Sequence, residues 1–218
     1  MTSVAQLPGT RSTYRHGDLR RVLLEAGISL ARGGGPASVV LREATRRAGV
    51  APNAAYRHFS SHLALLQAVR AYALSDVARA MEAELAALPT GLSPANRARA
   101  SVRAVGTGYL RYAQTEPGLF RTAFVASDTL IQATPELPTS GDSGLNPFQL
   151  LGAALDQLVN AGLMPPERRP GAEVLAWSAV HGLAMLVLDG PLASSLKPHM
   201  AQVGQRLLDM VEQGLQAV

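Results

Sequence analysis

Apolar residues recur at helical spacing along most of this chain, and glycine and proline cut the pattern into segments. Over 16–32, Leu19, Val22, Leu23, Ala26 and Leu30 line one helix face, which Gly33, Gly34, Gly35 and Pro36 end. Leu41, Ala44 and Ala48 mark a short second helix, and Gly49 supplies the backbone freedom of a sharp turn. Val50 can plug the angle, and Pro52 suits the first turn of a third helix. Leu66, Val69, Ala73, Val77, Met81, Leu85 and Leu88 then predict a helix of about 27 residues, capped by Ser60 or Ser61 and ended by Pro89, Thr90 and Gly91. Ser93-Pro94 opens another, with Val102, Val105, Tyr109 and Tyr112 on one face, until Glu116-Pro117 breaks it.

A short helix holds Leu119, Phe120 and Phe124, and residues 127–147, rich in Pro, Gly and Ser, predict the one long loop. Phe148, Leu151, Leu155 and Val159 mark the next helix, stopped by Gly162 and Pro165-Pro166. Residues 172–189 are apolar nearly all round, and 199–216 carry Met200, Val203, Leu207, Val211 and Leu215 on one face. The expectation is an all-α fold of about nine helices. A monomer cannot easily bury both closing helices, so they are expected to pair across a two-fold axis as a four-helix bundle. Packing on the subunit's own core is the plainer alternative.

Composition narrows the picture. With 218 residues, 47% hydrophobic and only 5% aromatic, the core must be mostly Ala, Leu and Val, which favours helices. There is no cysteine, hence no disulfide framework and no thiolate chemistry. No signal-peptide pattern opens the chain, and the longest apolar run, 174–188, is interrupted by Ser178 and His181 and too short to span a bilayer. A cytoplasmic, nucleoid-associated protein without a membrane partner is expected. The net charge of +4 hides an asymmetry: residues 1–72 hold 10 Arg against 3 acids, a net of +7, and the remainder nets −3.

The basic part coincides with 39–59, VVLREATRRAGVAPNAAYRHF, which reads as a helix-turn-helix. Its second helix can enter a DNA major groove. There Asn53 and Arg57, at i and i+4, suit adenine and guanine edges, and Tyr56 and His58 suit phosphates. The glycine run at 33–35 has no preceding strand and no following Lys-Ser/Thr, so it reads as a helix stop and not as a phosphate cradle. His58 and His62 have a metal-ligand spacing but no third ligand, so no metal site or cofactor is expected. Trp177 and His181, also i and i+4, could line a pocket with Tyr109, Tyr112, Phe120 and Phe124, or serve as core. No nucleophile–base spacing suggests an enzyme.

Several segments together resemble a known family. Ala26 and Leu30, LREATRRAGV at 41–50, AAYRHF at 54–59 and LALLQAV at 63–69 are similar to the tetracycline-repressor (TetR) family of bacterial transcription regulators. The match is close over about sixty residues, and Tyr56-x-His58-Phe59 after Gly49-Val50 is its specific signature. TEPGLFRTAF at 115–124 and Trp177-x-x-x-His181-Gly182 resemble a subgroup with a Trp-His-Gly-containing regulatory domain. The resemblance implies an N-terminal DNA-binding unit and a C-terminal unit for ligand binding and dimerisation. It further implies a homodimeric repressor of a palindromic operator, released by a small-molecule effector. The positions matching family DNA contacts are Arg42, Pro52, Asn53, Tyr56, Arg57 and His58, with His62 where a phosphate-binding lysine is common. Val40 and Ala51 replace the usual capping Ser/Thr, with Ser38 a substitute cap for the second helix, and Thr45 stands where Ala is usual. The expected divisions are an arm at 1–14, a DNA-binding domain at 15–75 and a regulatory domain at 76–218. Two alternatives remain: an interaction module of this fold that has lost DNA binding, and an enzyme on the helical frame.

Overall fold

The computed structural model describes residues 16–125, 138–191 and 193–216, and all their regular secondary structure is helical. The helices are α1 (His16–Gly34), α2 (Leu41–Ala48), α3 (Pro52–Ala55), α4 (His62–Ala86), α5 (Pro94–Thr115), α6 (Pro117–Ala123), α7 (Pro147–Asn160), α8 (Ala172–Leu188), α9 (Ala193–Leu196) and α10 (Met200–Gln216). Two of these ten, α3 and α9, have only four residues. The expected arm at 1–14 and part of the expected long loop lie outside the described residues.

Local signals place most boundaries. Ser61 caps α4 by accepting from the Ala64 N–H, and Ser93 caps α5 by accepting from Asn96. Asn146 and Gln149 form a reciprocal capping box on α7. Gly49 takes φ 67°, the left-handed conformation that ends α2. Two boundaries shift. Helix α1 runs two residues past Arg32 and stops at Gly35, whose φ is 71°. Helix α4 ends at Ala86. Ser38 caps nothing: it lies in a 3-10 turn, and α2 begins without a side-chain cap.

Helix α4 is the spine. It packs against α1, α5, α6 and α7. The expected boundary at 75/76 falls inside it, without a break. Its closest neighbour is α5, where a Cβ on Gly108 would stand 2.6 Å from the Ala80 carbonyl oxygen and the Met81 Cα. Only glycine permits that approach.

Two helix faces differ from the expectation. On α7 the buried row is Leu150, Ala154, Leu155 and Leu158, while Phe148 is exposed. On α10 it is Met200, Gly204, Leu208, Glu212 and Leu215. The cause on α10 is polar pairing: Glu212 is buried against Arg103 and Arg99 of α5, and Asp209 also meets Arg103. That rotation leaves Val203, Leu207 and Val211 half-buried and Met210 exposed. Helix α8, apolar all round, buries Ala172, Ala176, Val180, Leu183, Ala184 and Val187 and exposes Val174, Leu175 and Leu186. Among the described residues no single helix is long and apolar enough to cross a membrane.

The α4–α5 contact gives a direct test. Gly108→Ala is expected to lower unfolding free energy by about 1–3 kcal/mol through overpacking. Gly33→Ala, in helix with open space around it, is expected to raise it by up to about 1 kcal/mol. Urea denaturation followed by circular dichroism measures both.

Candidate nucleic-acid interface and regulatory site

The first three helices present a basic, polar end. Leu41, Ala44, Thr45, Ala55 and Phe59 are buried, which turns Arg42, Pro52, Asn53, Tyr56 and Arg57 outward, all exposed. Thr45 is accommodated by donating to the Arg42 carbonyl at 2.7 Å. An open groove of about 500 Å³ runs between α2 and α3, lined by Val40, Arg42, Glu43, Thr45, Arg46, Val50 and Pro52. Helix α3 is shorter than its residues suggested. Tyr56, Arg57 and His58 form a turn beyond it, although Phe59 N–H still bonds to the Ala55 carbonyl at 2.9 Å. His58 is half-buried and His62 is exposed at the start of α4.

Sequence reasoning missed two residues here. Arg20 of α1 donates to the His58 carbonyl at 2.8 Å and lies 4.7 Å over the Phe59 ring. It ties the 56–58 turn to α1 through a hydrogen bond and a cation–π contact. Its signal was only an arginine flanking an apolar face. Glu43 is bonded by Arg46 at 2.7 Å and by Arg47 at 3.2 Å, which hold its carboxyl down at about 2. Two of the three α2 arginines are thus paired in the free protein, while Arg42 and Arg57 have no ion pair among the described residues.

A second constellation lies between α5, α6 and α8. Tyr109, Phe120, Phe124, Trp177 and His181 meet in one aromatic cluster, with Phe120 and Phe124 centred 4.9 Å apart and Phe124 and His181 5.3 Å apart. Trp177 Nε1 donates to Tyr109 Oη at 3.0 Å, and Tyr109 Oη lies 2.7 Å from His181 Nδ1. Burial pushes the Tyr109 phenol well up and the His181 imidazole down. Phe148, not anticipated, adds its ring 6.4 Å from Trp177. Tyr112 does not join. Three residues beyond Tyr109, it points to α4 and donates to Asp76 at 3.1 Å. The hydrogen-bond partner of His181 is thus the Tyr109 hydroxyl. Among the described residues no group of three His, Asp or Glu side chains is placed to hold a metal ion.

Comparison with known proteins now decides the class. Residues 23–69 match the model of bacterial regulatory proteins of the tetR family, and residues 102–211 match the tetracyclin repressor-like C-terminal domain. The chain belongs to the TetR family. It is a DNA-binding transcriptional regulator built from a TetR N-terminal domain and a TetR-like C-terminal domain. No curated protein matches it in sequence. Among solved structures it is similar to a protein of unknown function from Rhodococcus sp. RHA1, at 24% identity and TM-score 0.72, covering 94% of this chain and 100% of that one. It is also similar to a tetR-family transcription regulator from Shewanella sp. PV-4, at 15% identity and TM-score 0.60, covering 92% and 99%. A third is a TetR variant from Acinetobacter baumannii AYE in complex with minocycline, at 16% identity and TM-score 0.59, covering 91% and 95%. At these identities the shared property is the fold.

The cluster makes its own prediction. Tyr109→Phe removes the acceptor for Trp177 and the partner of His181, and is expected to cost about 1–3 kcal/mol of stability. Trp177 is the only tryptophan, so the emission of the folded variant should shift as its N–H loses that bond. Tyr112→Phe should destabilise without that spectral change. Denaturation monitored by tryptophan fluorescence separates the two.

Proposed function

We propose that this regulator is a homodimeric repressor that binds a palindromic operator and is released by a small molecule held at the aromatic cluster. One observation carries the reading. The exposed Asn53, Tyr56 and Arg57 lie within the α2–α3 unit, and four of the exposed large apolar residues, Val174, Leu175, Leu186 and Met210, lie on helices α8 and α10, outside that unit. Asn53 and Arg57 read base edges, while Arg42, Tyr56, His58 and His62 hold phosphates, and Pro52 opens the reading helix. Residues 15–75 act as the DNA-binding unit and 76–218 as the regulatory unit, with α4 shared mechanically between them.

Dimerisation is assigned to α8 and α10. Leu175, Gly182 and Leu186 follow one another along the exposed face of α8, and a Cβ on Gly182 would meet nothing within 4 Å of this subunit. Val203, Leu207, Met210 and Val211 continue the apolar surface on α10, which packs beside α8. A two-fold copy covers both. We also assign the chain to the subgroup marked by Trp177-x-x-x-His181-Gly182, since the first two of these residues sit in the cluster.

The coupling follows from geometry. A ligand that prefers one arrangement of α5, α6 and α8 shifts α4, and with it the separation of the two reading turns. Its effect is bounded by its preference for that arrangement.

Fluorescence anisotropy on fragments upstream of the regulator's own gene tests the DNA assignment. Asn53→Ala with Arg57→Ala is expected to weaken specific binding at least about tenfold, each contact being worth about 1–3 kcal/mol. Arg42→Ala is expected to weaken all sequences alike and flatten the salt dependence by about two counterions per dimer. Unchanged binding by the double variant would remove base reading from these residues. Sedimentation of Leu175→Glu with Met210→Glu is expected to give monomers; a dimer of unchanged stability would place the interface elsewhere.

A further inference from the structure

The aromatic cluster contains a hydrogen-bond chain whose directions can be worked out by counting donors. An indole N–H only donates, so Trp177 gives its proton to Tyr109 Oη. Tyr109 Oη also bonds to His181 Nδ1. Were Nδ1 protonated, both neighbours would donate to the phenol oxygen and strand the phenol's own hydrogen. Tyr109 is only 3% exposed, and its hydroxyl has no further partner among the described residues. Stranding a buried donor is costly. The phenol therefore donates to Nδ1, and the ring proton of His181 sits on Nε2.

That Nε2–H has no partner among the described residues. His181 is half-buried, its ring flanked by Phe124 at 5.3 Å and Trp177 at 5.5 Å, and both of these keep part of their surface open. The result is a single fixed donor at the edge of an aromatic wall. No charged side chain bonds to any of the five cluster residues among those described. The nearby acid of α4, Asp76, is engaged by Tyr112 and Arg79. Desolvation keeps the imidazole neutral at neutral pH, so it supplies no countercharge for an anion.

We propose that the effector is an uncharged planar molecule carrying a hydrogen-bond acceptor, which receives the His181 Nε2 proton while its ring packs on Phe124 and Trp177. This rests on reading the cluster as the effector site. A ligand without the acceptor would cover the Nε2–H and leave it unpaired, so the site discriminates against it.

Three matched probes test this with the full-length protein: 2-acetylnaphthalene, 2-ethylnaphthalene and 2-naphthoate, each titrated up to aqueous saturation by calorimetry and Trp177 fluorescence. The ketone is expected to bind at least about tenfold tighter than the ethyl compound and the carboxylate. In His181→Phe, which keeps an aromatic ring, the ketone's advantage over the ethyl compound should shrink to about twofold or less. Long-range proton–nitrogen spectra of the wild-type protein should show His181 protonated at Nε2 and bare at Nδ1, a readout that needs no variant. Equal binding of ketone and ethyl compound, with Trp177 responding to both, would leave the effector site standing and overturn the donor. Carboxylate binding as tight as the ketone would overturn the uncharged class. A proton on Nδ1 would overturn the donor directly. Failure of every probe to bind or to perturb Trp177 would overturn the site itself.

Discussion

The structure depends on one constraint: α4 must run unbroken through both halves of the chain. Its 25 residues hold no glycine or proline, and Ser61 fixes where it starts. Eleven of its residues are buried, so neighbours surround it and do not merely cover one stripe. Close approach is obtained by removing side chains from the partners. Gly27 of α1 meets Leu65 and Val69, and Gly108 of α5 meets the backbone at Ala80 and Met81. A helix held this closely by two neighbours transmits displacement as a body, because a packed interior does not deform continuously.

Much of this was legible from apolar spacing, and the misses share one cause. Element order and type followed from periodicity and from Gly and Pro, and the helix-turn-helix followed from Gly49, Val50 and Pro52. The faces of α7 and α10 were displaced because each carries apolar residues on two adjacent rows. Which row faces inward is decided by the partner helix, not by the row itself. On α10 the deciding partners are Arg99 and Arg103, which draw Glu212 into the interface. Pairing by arginines more than a hundred residues away, in a partly desolvated setting, outweighs the local preference to expose a carboxylate. The aromatic residues were legible as a set, but not their division: Tyr109 and Tyr112 differ by three positions and serve different neighbours, α8 and α4. Arg20 was invisible as a functional residue because its partner is a backbone carbonyl 38 residues on.

The missing caps take on a different meaning in three dimensions. Val40 and Ala51 leave the starts of α2 and α3 without side-chain acceptors, and both starts open onto the groove between these helices, where Val40 and Pro52 form part of the lining. On the proposed reading, DNA phosphates meet this groove, and the backbone amides there can bond to them directly. The same groove holds Glu43, whose pairing with Arg46 and Arg47 partly cancels the basic charge of the free protein. Binding must then compete with an internal ion pair, so affinity falls less steeply with salt than a count of arginines implies.

The route between the two proposed sites is short, and α6 is its narrowest part. Within seven residues this helix carries Phe120, fully buried in the aromatic cluster, and Gly118, whose missing Cβ lets it lie against the Ala31 and Arg32 carbonyls at the end of α1. Glu116 just before it bonds to Arg32 at 2.8 Å. Arg121 within it bonds to Asp189 at 2.7 Å and to the Leu188 carbonyl at 3.1 Å, at the end of α8. The Ala123 carbonyl at its end accepts from Arg70 of α4 at 3.1 Å. One short rigid element is thus fastened to α1, α4 and α8, the helices that carry the reading unit, the spine and half of the proposed dimer face. A ligand displacing Phe120 or Phe124 would move α6 against all three attachments. Loosening the Arg121–Asp189 pair would leave the aromatic rings and the DNA face intact while weakening the mechanical link from α8. A change in operator release without a change in operator affinity is what distinguishes that link from either site.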